Sequence, residues 1–353
     1  MKVRKILLII VAMMAVFLSV AKVISASGLD FSVQMAIPTN QIDNEQSYYN
    51  LLMNAGQQQT LQIKLVNTTA KRVKVAVSTN TATTNMNGTV EYATKKQSPD
   101  KSMQYSLQNY VKTPKQVTIA ASGSVIVPVT VQMPKGELRG VMAGGIVFKQ
   151  VNDAPASTSG MTVINEFTYT VILLMRQSQK IIAPNLALAD VGVTQLNRHN
   201  ALTLSLRNNQ PGFLNHLTIE SKVTKLGAQK VIYSTKSTDM QMAPNTTMAF
   251  PIRLGTDKFV AGDYTAHVIA YGLPAKDGKY IDTSGQHFTY KWNFTKDFVI
   301  QEAKANDLNK RSVATHGWPW WLKALIALVV ILLASVIGML IILLRKKKER
   351  KRE

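Results

Sequence analysis

Short stretches of the chain alternate apolar and polar residues. Thr60-Leu61-Gln62-Ile63-Lys64-Leu65 does so, and so does Arg72-Val73-Lys74-Val75-Ala76-Val77. Val125, Val127, Val129 and Val131 fall on one face of SVIVPVTVQM. In an extended strand every second side chain points the same way, so a period of two predicts half-buried β-strands. Turn signals separate them: Asn67-Thr68-Thr69, Asn87-Gly88, Ser98-Pro99-Asp100 and Ser122-Gly123. Pro128 lies inside a strand pattern and has no N–H to give a ladder, which predicts an edge strand or a bulge. Gly144-Gly145 predicts a close backbone approach or a bulge within a strand. DKSMQYSLQNYV, from Asp100 to Val111, breaks the alternation and fits a short helix or a loop.

The second half repeats this grammar. ALTLSLRNN from Ala201 resembles TLQIKLVNT from Thr60, each with three alternating Leu or Ile and then a turn with Asn. At a shift of 123 residues Pro128 falls on Pro251, Val129 on Ile252, Val131 on Leu254 and Ile146 on Ile269. The shared scheme is an edge strand with a mid-strand proline, a turn and a returning strand. It predicts a mainly β protein of two tandem β-sandwiches with about seven short strands each. NDAPASTSG, Asn152 to Gly160, is a linker or a hairpin tip. EAKANDLNKR, near the end, has helical character.

The two ends follow other rules. Lys2, Arg4 and Lys5 precede an apolar run from Ile6 to Val20, and small residues follow, the order of a secretory signal peptide over residues 1–26. No cysteine follows the run, which excludes a lipoprotein anchor. Leu322 to Leu344 is apolar apart from Lys323. As a helix rising ~1.5 Å per residue it is long enough for a hydrocarbon core of ~30 Å. Trp318, Trp320 and Trp321 stand where an aromatic belt belongs, and RKKKERKRE follows the span. The positive-inside bias leaves that tail in the cytoplasm. The expectation is a single-pass membrane protein whose bulk faces the cell wall, with one C-terminal transmembrane helix. The predicted boundaries are a first domain over 28–152, a second over 161–301, a stalk over 302–321, the span over 322–344 and a basic tail over 345–353.

Composition narrows the chemistry. The chain has no cysteine, so thiol chemistry and disulfides are absent, which suits a bacterial surface protein. The formal net charge is +21. Cations outside the signal and tail favour anionic partners, and on a bacterial exterior these are wall polymers rather than nucleic acid. The five histidines, His199, His216, His267, His287 and His316, show no metal-ligand spacing. No nucleophile elbow, P-loop or paired-carboxylate arrangement is evident. The prediction is therefore no enzyme, no catalytic residue, no metal and no cofactor.

The ordered series of segments resembles a known family. YYNLLMNAGQQQTLQIKLVNTTAKRVKVAVSTNTATTNMNGTVEY and YVKTPKQVTIAASGSVIVPVTVQMPKGELRGVMAGGIVF resemble the first external domain of the WxL-interacting proteins of Gram-positive bacteria. ALTLSLRNNQPGFLNHLTIESKVTKLG, AGDYTAHVIA, YKWNFTKDFVI and LNKRS resemble that family's second domain. The resemblance implies two immunoglobulin-like domains, the first binding peptidoglycan and the second a host ligand. It also implies WxL-domain surface proteins and host extracellular-matrix proteins as partners. The function expected is a non-enzymatic surface adaptor or adhesin; the alternatives are a membrane-tethered assembly chaperone and a wall-active hydrolase.

Sugars stack on aromatic faces, and tyrosine suits an exposed site. Tyr92, Tyr105 and Tyr110 flank the least strand-like segment of the first domain. Lys95, Lys96, Lys101 and Lys112 accompany them and suit acidic wall polymers. These seven residues are the candidate glycan contacts, with loop packing of the tyrosines as the competing reading.

Overall fold

The computed structural model describes residues 29–93, 100–151, 167–313 and 320–349, and of 320, 336 and 339–349 the backbone alone. The expected signal peptide therefore lies outside the described residues, as do the last four residues of the tail. The chain is mainly β and divides into two compact units. The first takes residues up to Thr81 with Leu107–Leu138 and Ala143–Ser178. The second takes Ala82–Ser106, Arg139–Met142 and the chain from Gln179 onward.

The first unit has two sheets. One runs β1 (Phe31–Met35), β3 (Gln58–Asn67), β9 (Ser124–Gln132), β7 (Val111–Lys112). The other runs β2 (Tyr49–Leu52), β11 (Thr168–Arg176), β10 (Met142–Val151), β4 (Val73–Thr81), β8 (Gln116–Ile119). The alternation in the sequence is the burial pattern of these strands. Leu61, Ile63 and Leu65 of β3, Val73, Val75 and Val77 of β4, and Val127, Val129 and Val131 of β9 are buried. Each such side chain removed from water contributes roughly 1.5–3 kcal/mol before entropy is counted. The segment 100–111 resolves into loop, a 3-10 turn at Leu107–Asn109, and the start of β7.

The second unit repeats the scheme. One sheet runs β12 (Leu186–Leu196), β13 (His199–Asn208), β16 (Thr246–Arg253). The other runs β15 (Val231–Met242), β14 (Leu214–Lys225), β17 (Gly262–Pro274), β19 (His287–Ile300), β18 (Tyr280–Ile281). Both sheets contribute to one core, with Leu202, Leu204 and Leu206 on one side and Ile219, Val268 and Ile300 on the other. The order β1-β3-β9 matches β12-β13-β16, and β8-β4-β10-β11 matches β15-β14-β17-β19. A two-stranded hairpin of β5 (Thr83–Thr84) and β6 (Val90–Glu91) completes the second unit.

Both prolines sit at edges, as their missing N–H requires. Pro128 pairs with Gln62 on one side of β9, and on its other side β9 pairs only at Thr130 and Val131. Pro251 pairs with Thr203 in β16, the last strand of its sheet. Gly144 marks a close approach: a Cβ there would overlap the Asn80 carbonyl oxygen and stand 2.9 Å from the Leu107 side chain.

The repeated asparagine has a physical role. Asn67 ends β3 with 1% of its surface exposed. Its Nδ2 donates to the carbonyls of Lys71 (2.7 Å) and Ala120 (2.9 Å), and its Oδ1 accepts from the N–H and hydroxyl of Thr69. Asn208 ends β13, fully buried, and donates to the carbonyls of Gly212 (2.8 Å) and Ala243 (2.9 Å). Its Oδ1 accepts from the Gln210 N–H. The turn that receives each is the same, with Ser122 at φ 49° and Asn245 at φ 52°. Their N–H groups donate to the carbonyls of Thr69 and Gln210 respectively. Each asparagine thus satisfies backbone groups that neither sheet can pair.

A helix α1 (Glu302–Arg311) packs on the second unit through Ala305 and Leu308 rather than standing free as a stalk. Glu302 in its first turn and Lys310 and Arg311 in its last complement the helix dipole. Asn309 Oδ1 accepts from the Phe259 N–H and from Asn200 Nδ2, and its Nδ2 donates to the Phe259 carbonyl. Gln195 Nε2 donates to the Leu308 carbonyl, and the Val313 N–H to the Arg198 carbonyl. A second helix, α2, spans Trp320–Glu349. Its side chains are described without a break only over 321–335, and among the described residues no helix is long and apolar enough to cross a membrane.

Asn67→Ala and Asn208→Ala are each expected to cost about 2–3 kcal/mol, because each strands buried carbonyls. Gly144→Ala is expected to cost a similar amount through overpacking against backbone. Urea denaturation monitored by circular dichroism checks all three; an unchanged midpoint for either asparagine variant refutes the role given to it.

Candidate functional site

In the first unit, the connection that crosses from β3 in one sheet to β4 in the other carries Thr69, Lys71 and Arg72, and Lys74 follows at the start of β4. Beside it lie Asp30, at the start of β1, and Gln150 and Val151, at the end of β10. Together with Val73 these residues line an open cavity of about 720 Å³. Three cations face one carboxylate there, and Gln150 Nε2 donates to Asp30 Oδ2 at 2.5 Å. The Asp30 N–H in turn donates to Gln150 Oε1 at 3.2 Å. Asn67 holds the backbone of this connection through the Lys71 carbonyl and the Thr69 N–H. Among the described residues no aromatic side chain lines this cavity.

In the second unit, the segment 82–106 is clasped by charge. Arg207 of β13 makes two 2.7 Å hydrogen bonds to the Asp100 carboxylate, through Nε and Nη2. The Thr247 hydroxyl donates to Asp100 Oδ2 at 2.8 Å, and the Ser102 N–H and hydroxyl donate to Oδ1. The Asp100 side chain is 4% exposed and that of Arg207 31%. The Arg207 guanidinium holds the Asp100 carboxyl well below the usual carboxylate range; burial opposes it, and the Ser102 and Thr247 donors add to it. Nearby, Thr84 and Thr246 share a buried hydroxyl contact of 2.6 Å, and Asn245 Nδ2 donates to Ser102 Oγ.

A second clasp closes the loop that carries β18. Lys236 Nζ lies 2.9 Å from Asp282 Oδ2 and 3.0 Å from Glu220 Oε1, and donates to the hydroxyls of Thr283 and Ser284. Burial pushes the Asp282 carboxyl up, but the Lys236 ammonium, the Ser284 hydroxyl and the N–H groups of Gln286 and Ser284 outweigh it and bring it down to about 2.

Two family matches cover most of the chain. Residues 31–150 match the peptidoglycan binding domain of WxL Interacting Protein, and residues 158–310 match its host binding domain. The chain belongs to the WxL-interacting protein family. Its domains are of binding families rather than enzyme families, and a peptidoglycan-binding domain suggests a cell-surface location. A search of curated proteins finds no match. Among solved structures, a complex of the Salmonella enterica SafA pilin with the SafB chaperone aligns at 14% identity. It covers 77% of this chain and 99% of that one with a TM-score of 0.29. The class 5 fimbriae chaperone CfaA aligns at 10% identity, 75% and 99% coverage and a TM-score of 0.28. The E. coli chaperone DraB aligns at 13% identity, 77% and 98% coverage and a TM-score of 0.25.

Of the seven candidate glycan contacts in this WxL-interacting chain, five lie among the described residues. Lys95 and Lys96 lie outside the described residues. Tyr92, Lys101 and Tyr105 belong to the second unit, while Tyr110 and Lys112 belong to the first. All three tyrosines are half-buried, and Lys101 and Lys112 are exposed. Gln104 Nε2 donates to the Tyr105 hydroxyl. Sequence reasoning did not single out the cavity of the first unit. Its one local signal was three cations within four residues at a strand-to-strand turn, Lys71, Arg72 and Lys74; Asp30 and Gln150 join them only through folding.

The lowered carboxyls of Asp100 and Asp282, together with Glu220, which burial pushes up and the Thr283 and Lys236 donors bring down, fix how the second unit responds to acid. Their stabilisation is fully present above the unfolded values of about 4 and is lost as pH falls through the folded values. The second unit is therefore expected to weaken below about pH 4. Asp100→Asn is expected to cost about 2 kcal/mol at pH 7 by leaving Arg207 without its charge partner. That difference from the parent should shrink toward pH 2. Urea titrations at pH 7, 4 and 2.5 check this, and a constant difference across them refutes it.

Proposed function

We propose that this chain is a non-enzymatic adaptor of the bacterial surface, held in the membrane by α2 and working through two immunoglobulin-like sandwiches. The first binds peptidoglycan; the second binds WxL-domain proteins and host matrix. The family match over 31–150 and 158–310 is the observation that carries this reading. The anchor is supported by the exposure of an unbroken apolar surface on α2. Leu325, Leu328, Val330, Ile331, Leu332, Leu333 and Ile337 are each at least half exposed. A helix apolar all round needs either a protein interior or lipid to cover it. The basic run after Leu344 supports a cytoplasmic C-terminus, and the order of residues 1–26 supports export.

Within this reading Tyr105 and Tyr110, with Lys101 and Lys112, remain candidate glycan contacts inside the matched peptidoglycan-binding residues. The double variant Tyr105→Ala, Tyr110→Ala is expected to weaken binding to purified sacculi about tenfold, as loss of aromatic stacking would, with little change in melting temperature. Unaltered binding, or a protein that no longer folds, removes these tyrosines as contacts. The function itself is tested with the full-length protein in detergent micelles, mixed with sacculi and with a purified WxL-domain protein. Retention by neither refutes the adaptor reading. Protease protection of a C-terminal epitope in intact cells checks the anchor, and digestion from outside refutes the assigned orientation.

A further inference from the structure

We propose that the cavity between Asp30, the Thr69–Lys74 segment and the end of β10 binds a phosphodiester-bearing anionic polymer of the cell wall. The proposal deepens the wall-binding reading of the first unit and rests on it. Four observations carry it. Among the described residues of the lining, Lys71, Arg72 and Lys74 outnumber the carboxylate of Asp30, which already accepts a hydrogen bond from Gln150. The guanidinium fork of an arginine suits paired phosphate oxygens, and lysine adds a point charge. Those same residues include no aromatic platform for a sugar face, so the chemistry they offer is for charge rather than for glycan stacking. The backbone that presents the cations is fixed in advance by Asn67, which lowers the ordering cost of binding. The cavity is open rather than enclosed, so a long chain can lie across it without threading an end.

The internal repeat separates what the fold needs from what this site adds. Aligning Asn67 with Asn208 places Thr69 on Gln210, Lys71 on Gly212, Arg72 on Phe213 and Lys74 on Asn215. The pairings of Phe31 with Asn67 and of Leu186 with Asn208 place Asp30 on Asn185. The same sheet-to-sheet connection, tied by an equivalent buried asparagine, thus folds in the second unit with no charge at these positions. Neither strand pairing nor the turn calls for the cations of the first unit.

The test uses the full-length protein in detergent micelles and fluorescently labelled poly(glycerol phosphate), read by anisotropy over a range of salt. The triple variant Lys71→Gln, Arg72→Gln, Lys74→Gln is expected to weaken binding at least about tenfold and to flatten its salt dependence. The triple variant Lys222→Gln, Lys225→Gln, Lys230→Gln removes as many exposed cations from the second unit and is expected to change affinity less than about threefold. An equal loss in both variants shows unspecific charge attraction and overturns the site, as does no loss in the first. Polyglutamate bound as tightly as the phosphate polymer, and lost with it, overturns the phosphodiester assignment. A melting curve accompanies each variant, and Lys71→Gln alone carries the test if the cavity triple melts early. Sacculi stripped of phosphodiester polymers separate the two readings. Failure to bind them, with poly(glycerol phosphate) still bound, refutes peptidoglycan binding and leaves the cavity site standing.

Discussion

Each unit of this chain depends on one buried asparagine. A strand that ends inside a sandwich leaves backbone carbonyls on both sides of the following turn with nothing to pair them. Asn67 and Asn208 solve this in the same way, each donating to two carbonyls from separate segments. The bonds join the connection that crosses between the sheets to the turn that precedes the proline-bearing strand. With that corner closed, the register of β3 against β9 and of β13 against β16 is set at its first pair. The alternating leucines, isoleucines and valines then fall on the core face. The hydrophobic pattern supplies the driving force, and the asparagine decides where it is applied.

The elements legible in the sequence were those whose physics is local. Alternation over six residues gives burial of every second side chain, so the pattern alone puts Leu61, Ile63 and Leu65 on one face. Pro128 and Pro251 reported edges because a missing N–H is a property of one residue. The recurrence of ALTLSLRNN after TLQIKLVNT pointed to a shared turn, though not to the bonds that explain it. What stayed hidden depends on distant partners. Arg207 meets Asp100 across 107 positions, and no periodicity signals that pairing. The segment 82–106 therefore read as part of the first domain, whereas its contacts place it in the second unit. The cavity was hidden for the same reason, since Asp30 and Gln150 are 120 positions apart.

A duplicated fold also supplies its own control. Positions alike in both halves, such as the turn residues Ser122 and Asn245 with left-handed backbone, serve the architecture. Positions that differ are free of that duty. In the first unit they carry cations beside an open cavity. In the second, Arg207 of β13, which aligns with Val66, is used to grip another stretch of chain. One scaffold thus lines an open cavity with charge in one copy and pairs charge with a carboxylate of its own chain in the other.

The docking of α1 sets a leash. Its asparagine and glutamine bonds hold the helix to the second unit as far as Val313, and only six residues separate Val313 from Trp320 at the start of α2. A chain cannot exceed roughly 3.6 Å per residue, so this connection spans about 25 Å at most. On the proposal that α2 lies in the bilayer, this length would keep the second unit beside the lipid surface, and whatever it grips would have to be delivered through the wall to meet it there.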